Sequence, residues 1–174
     1  MLFYALQPYL LELYGNPNAY SIAGLAAAGI AGAQIVGGLI TSLVRRLFKR
    51  RTTILLGSIC LSSLGLLLLG IFTNFYLALI FGAIWAISLA IGAPVYLALI
   101  NALIPSKQRA TVLSFNNLIG SSGGVVSQPA LGHAADVFGY AATYVMTSMI
   151  TFIGLLFILF ARFENTMEDR IEKK

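Results

Sequence analysis

The chain has 174 residues, 59% of them hydrophobic and 10% charged, with a net charge of +5 and a mean hydropathy of +0.88. A water-soluble domain carries about a quarter charged residues, so this composition excludes water as the solvent for most of the surface and points to an all-α membrane protein. One cysteine, Cys60, allows no intrachain disulfide, and a single histidine leaves little for metal or general-base chemistry. No zinc-ligand spacing, nucleotide loop or catalytic triad is visible, so no enzyme, metal or cofactor is expected.

The first apolar segment, 1–14, reaches only about 21 Å at helical rise, short of the roughly 30 Å of a bilayer core. It reads as a partial span, as though the chain began inside the membrane. Gly15-Asn16-Pro17-Asn18 is a turn. A second span covers 19–44, with Gly24, Ala28 and Gly32, and Gly29, Ala33 and Gly37, at the four-residue spacing that lets helices approach closely in lipid. The basic run Arg45 to Arg51 ends it. A third span covers 52–72, Thr73-Asn74 makes a tight turn, and a fourth covers 75–103 with Pro94 inside. After a loop at 104–109, a fifth span covers 110–131. Residues 132–139 read as a connection, a sixth span covers 140–161, and a charged tail fills 162–174.

If the spans alternate in direction, the loops at 45–51 and 104–109 and the tail fall on one side, and they hold every Lys and Arg of the chain. The opposite side receives Glu12, Asn74 and Asp136. The positive-inside rule makes the basic side cytoplasmic, with the carboxyl terminus there, in a multi-pass protein of the inner (plasma) membrane. The arginine run is then a topology anchor, and no nucleic-acid partner is needed to explain it.

The amides Gln7, Gln34, Asn101, Asn116, Asn117 and Gln128 avoid the third and sixth spans. Amides facing lipid are costly, so those two spans are expected to form a lipid-facing scaffold and the other four to surround any polar interior. Candidate substrate-binding residues are Tyr4, Gln7, Gln34, Trp85, Asn116 and Asn117. The alternative for the amides is hydrogen bonding between helices, and for the aromatics a place in the core or the interface belt. Arg109 is a candidate gate contact or a topology anchor, Pro129 and Gly132 are candidate flexing points, and Asp136 is expected to cap the sixth helix.

Two stretches carry a family resemblance: Arg109-Ala110-Thr111-Val112-Leu113-Ser114, and Pro129-Ala130-Leu131-Gly132-His133-Ala134-Ala135-Asp136-Val137-Phe138-Gly139. They resemble the entry to and exit from the eleventh helix of major facilitator superfamily permeases, especially drug-efflux-like ones. Gln7-Pro8-Tyr9-Leu10 is similar to part of the seventh helix of such permeases. The family's loop between the second and third helices of a half is often Gly-x-x-x-Asp-Arg-x-Gly-Arg-Arg. Here Arg45 stands where its acid would be and Phe48 where its glycine would be, so the acid-centred gating contact does not carry over.

The resemblance implies half of a twelve-helix fold, its carboxyl-terminal half, with one partial and five full spans. It also implies secondary transport of a small organic solute, with efflux the expected direction, by two halves rocking about a midplane site. The partners it implies are the lipid bilayer, a small-molecule substrate, and a missing amino-terminal six-helix half or a second copy. Two rivals stand beside this reading: a truncated or split-gene fragment without its own transport activity, and a small self-associating carrier. No ionisable residue lies deep in a complete span, so a proton-coupling carboxylate would have to come from elsewhere.

Overall fold

The computed structural model describes residues 2–16, 18–163, 169 and 171. Among these residues five α-helices run in order: α1 Leu2–Tyr14, α2 Tyr20–Leu47, α3 Arg51–Ile71, α4 Phe75–Leu103 and α5 Arg109–Phe163, with a 3-10 turn at Ser106–Gln108. No strand occurs among the described residues. Helices α2 to α5 are each long and apolar enough to cross a membrane. Helix α5, at 55 residues, is about 80 Å of chain at helical rise, more than one bilayer can hold. Its one non-helical residue is Gly139, at φ 81° and ψ 164°, a conformation open to glycine because it has no Cβ. Gly139 therefore divides α5 into a first arm, 109–138, and a second arm, 140–163.

Turn chemistry sets the helix ends. Gly15, at φ 75°, closes α1 by donating its N–H to Leu11 O at 3.1 Å, the left-handed helix stop that glycine favours. Asn74 opens α4, its side-chain oxygen accepting from Tyr76 N at 3.0 Å and Leu77 N at 3.3 Å. Of residues 132–139, expected to connect two spans, 132–138 are helical instead. Pro129 removes one backbone donor without stopping the helix, and the break waits for the positive φ at Gly139.

Close approach of backbones fixes the packing. A Cβ on Gly37 of α2 would lie 2.8 Å from Ile87 O of α4. One on Gly65 of α3 would lie 3.2 Å from Phe81 O of α4. One on Gly70 of α3 would lie 2.5 Å from Ala141 O in the second arm. These contacts run α3 antiparallel to both α4 and the second arm, and α2 parallel to α4. Of the small-residue positions expected to mediate contact on α2, Gly24, Gly29 and Gly32 face open space and Gly37 makes the approach.

Helix α3 is the most buried of the four long helices, and of its large apolar residues it leaves Leu61, Leu64 and Ile71 exposed. The second arm buries Thr143, Tyr144, Thr147 and Ser148 against it and exposes Met149, Ile150, Phe152, Ile153, Phe157 and Phe160. Hydroxyls serve the buried faces. Ser63 donates to Ser148 O at 2.9 Å, while Thr143 and Thr147 return to carbonyls one turn back, so no amide is needed there.

Both ends of α3 are finished by residues far away in sequence. Leu69 O has no intrahelical donor, since the helix ends at Ile71, and the buried Tyr9 hydroxyl donates to it at 3.0 Å. The Tyr9 ring also lies 5.3 Å from that of Tyr144, which ties α1 to α3 and to the second arm at once. At the other end, Asp169 accepts from Thr52 N at 2.7 Å. Residues flanking the basic segments meet around this end: Val44, Ile54, Val95 and Ile158 share one apolar cluster, and Arg51 donates to Ala98 O at 2.7 Å. The described cations thus gather at one end of the bundle.

Candidate functional site

Between α1 and α2 lies a partly open cavity of about 420 Å³ lined by Leu6, Gln7, Leu10, Ala27, Ile30, Ala31 and Gln34. Its position follows from the helices. Tyr9 and Leu10 anchor one face of α1 in the core, leaving Gln7 exposed on the cavity side. Gln34 lies one helical turn before Gly37 on α2, and Ile30, one turn further back, meets α4 next to Gly82. The alanines at 27 and 31 leave the volume open. Gln7 and Gln34, on separate helices, are thereby brought to one space.

The chemistry of the lining is narrow. Each amide offers two donors and an accepting oxygen without net charge, and the remaining lining residues are aliphatic. Among the described residues, no acid, base or nucleophile lines the cavity, and no group of acids, histidines or cysteines able to hold a metal occurs. Such a site can bind and orient. A second space of similar volume, wholly apolar, lies between α2 and α4, with Ile22, Leu25, Phe75 and Ile80 in its lining. Ile30 lines both and is 3% exposed, so it forms the wall between them.

The other sequence candidates fall elsewhere. Trp85 is buried in the main apolar cluster with Leu66 and Ala86 and does not line the cavity; its backbone and Cβ lie against the missing side chain of Gly65, which makes it a packing residue. Asn116 accepts a hydrogen bond from the Tyr96 hydroxyl at 2.8 Å, holding the first arm of α5 beside α4, and Asn117 is exposed next to it. Neither asparagine reaches the cavity. Tyr4 belongs to α1, and its side chain lies outside the described part.

Arg109 is exposed at the start of α5, and Pro129 is exposed inside it. Gly132 and Asp136 lie in continuous helix before Gly139. Asp136 therefore does not occupy a cap position, because the helix restarts after Gly139 and not after the aspartate. The aliphatic lining, Leu6, Leu10, Ala27, Ile30 and Ala31, was not singled out from the sequence. A trace of it is present there, since Ala27, Ile30, Ala31 and Gln34 recur at helical spacing and share one face.

The sequence model of the Major Facilitator Superfamily matches residues 1–174. No curated protein and no solved structure matches the chain. With a match that spans its whole length on a helical, multi-span membrane fold, this chain belongs to the Major Facilitator Superfamily of transporters.

Proposed function

We propose that the chain serves as the carboxyl-terminal six-helix half of a permease that moves a small, uncharged or amphipathic organic solute, and that the α1–α2 cavity is its share of the substrate site. The observation that carries this reading is the convergence of Gln7 and Gln34 in a cavity of about 420 Å³ that is otherwise aliphatic. Two amides in apolar walls suit a ligand with a few hydrogen-bonding groups on a hydrophobic body. They do not suit a sugar, whose many hydroxyls would go unpaired, nor a phosphate, which would lack a cation. Efflux is the direction the family resemblance suggests. Collection of the cations at one end supports a cytoplasmic assignment for that end in the inner (plasma) membrane.

In the test, dye export from vesicles is measured for the protein as expressed, for Gln7→Leu, for Gln34→Leu and for the double variant. Each single change is expected to lower export about tenfold, the loss from leaving a ligand's polar group unpaired in an apolar cavity. Asn116→Leu should leave export unchanged. Wild-type export by the double variant would end the assignment.

One observation favours a second reading, in which the chain does not transport alone. The first arm of α5 exposes Phe115, Leu118, Ile119, Val125 and Val126, and its hydrogen bond to another helix is the Tyr96–Asn116 pair. An amino-terminal six-helix half or a second copy would cover this arm. Vesicles holding the chain alone should then export nothing, and addition of the covering partner should restore export.

A further inference from the structure

Helix α3 begins without a cap of its own. Its N-cap residue is Arg50, at φ −124° and ψ 136°, whose side chain caps nothing in the first turn and has only donors to offer. Thr52, two residues on, is 4% exposed, so its amide is an orphan donor with little access to water. The acceptor comes from 117 residues away: Asp169 Oδ1 accepts from Thr52 N and Oδ2 accepts from Thr52 Oγ1, both at 2.7 Å. Asp169 is 5% exposed. A carboxylate is favoured in this place by the helix dipole and by the cations of the adjoining basic run.

Two residues further along, Ile171 N donates to Lys49 O at 2.9 Å. The Ile171 side chain joins the apolar cluster that holds Val44 of α2, Ile54 of α3, Val95 of α4 and Ile158 of the second arm. These contacts do more than cap one helix. We propose that Asp169 and Ile171 form a strap that fastens the basic ends of α2, α3, α4 and the second arm together, so that these ends separate only when the strap lets go. The strap depends on one carboxylate and one isoleucine, so it opens without unfolding a span. It stands independently of the transport reading.

Backbone hydrogen exchange of the whole protein in lipid nanodiscs tests the strap without any transport measurement. Asp169→Ala is expected to speed exchange about tenfold at Thr52, the scale of losing a charged acceptor. It should also speed exchange at 44–48 and 100–104, the ends of α2 and α4. Asp169→Asn keeps an accepting oxygen and should lose less. Thr52→Cys with Asp169→Cys, in a Cys60→Ser background, should cross-link under mild oxidation and restore protection at all three places. Loss confined to Thr52 would reduce the strap to a local cap and overturn the proposal, as would unchanged exchange throughout. Should Asp169→Ala also loosen 68–72 at the opposite end, the variant has lost its fold and the cysteine pair decides: a ready cross-link upholds the strap, and none overturns it.

Discussion

The two arms of α5 stand in opposite situations, and the second is the more apolar, with 18 hydrophobic residues of 24 against 14 of 30 in the first. The second arm lies against α3 with backbones nearly touching at Gly70 and Ala141, and it buries Thr143, Tyr144, Thr147 and Ser148. The first arm buries no residue and leans on α4 through Tyr96 and Asn116. Hydrophobicity cannot explain the difference, because in lipid an apolar side chain gains little by leaving the tails for another helix. What separates the arms is fit. The second arm meets a partner with glycine at the contact and serines alongside, so van der Waals contact and hydrogen bonds accumulate. On the first arm, Gly120 and Gly123 face open space, small residues with no helix laid against them.

Substitutions at matched glycines give the sharpest contrast. Gly70→Val should cost about 3 kcal/mol of unfolding free energy, the scale of overpacking a tight contact, measured by denaturant titration in detergent. Gly120→Val should change stability by less than about 0.5 kcal/mol, as surface substitutions do. Equal effects would erase the distinction between the arms. Next in size is Tyr9→Phe, which strips Leu69 O of its donor and should cost about 1 kcal/mol by the same titration. Ser63→Ala removes the hydrogen bond to Ser148 O and should cost about 0.6 kcal/mol, the average for such bonds within membrane bundles. Tyr96→Phe frees the first arm from α4, and its stability cost should be the smallest. Its expected readout is faster thiol labelling of Gly120→Cys in a Cys60→Ser background; unchanged labelling would show that other contacts hold the arm.

Features that rest on local chemistry could be read from the sequence. A composition with so few charges leaves helices in lipid as the solution, and Asn74 reads as a turn residue and caps α4. Gln7 and Gln34 were legible as polar groups in apolar spans, and they meet in one cavity. Features that depend on partners were not legible. Periodicity cannot say that Gly37 touches α4 while Gly29 touches nothing, because both belong to the same small-residue series. Trp85 carries the same label whether it lines a cavity or fills a core. Pro129 and Gly132 were singled out as flexing points because each weakens a helix singly, and the helix continues past both to Gly139. Absence of amides from α3 gave no hint that hydroxyls serve its buried face, with Ser63 donating to Ser148 O.

The remote finishing of α3 bears on the order in which the protein is made. Tyr9, which closes the far end of the helix, leaves the ribosome before α3 does, 60 residues ahead of Leu69. Asp169, which closes the near end, follows Thr52 by 117 residues. Between those two events the central helix is sealed at one end and open at the other. Its first turn is complete only when Asp169 arrives, 117 residues after Thr52, so translation far beyond the helix finishes the bundle's innermost helix.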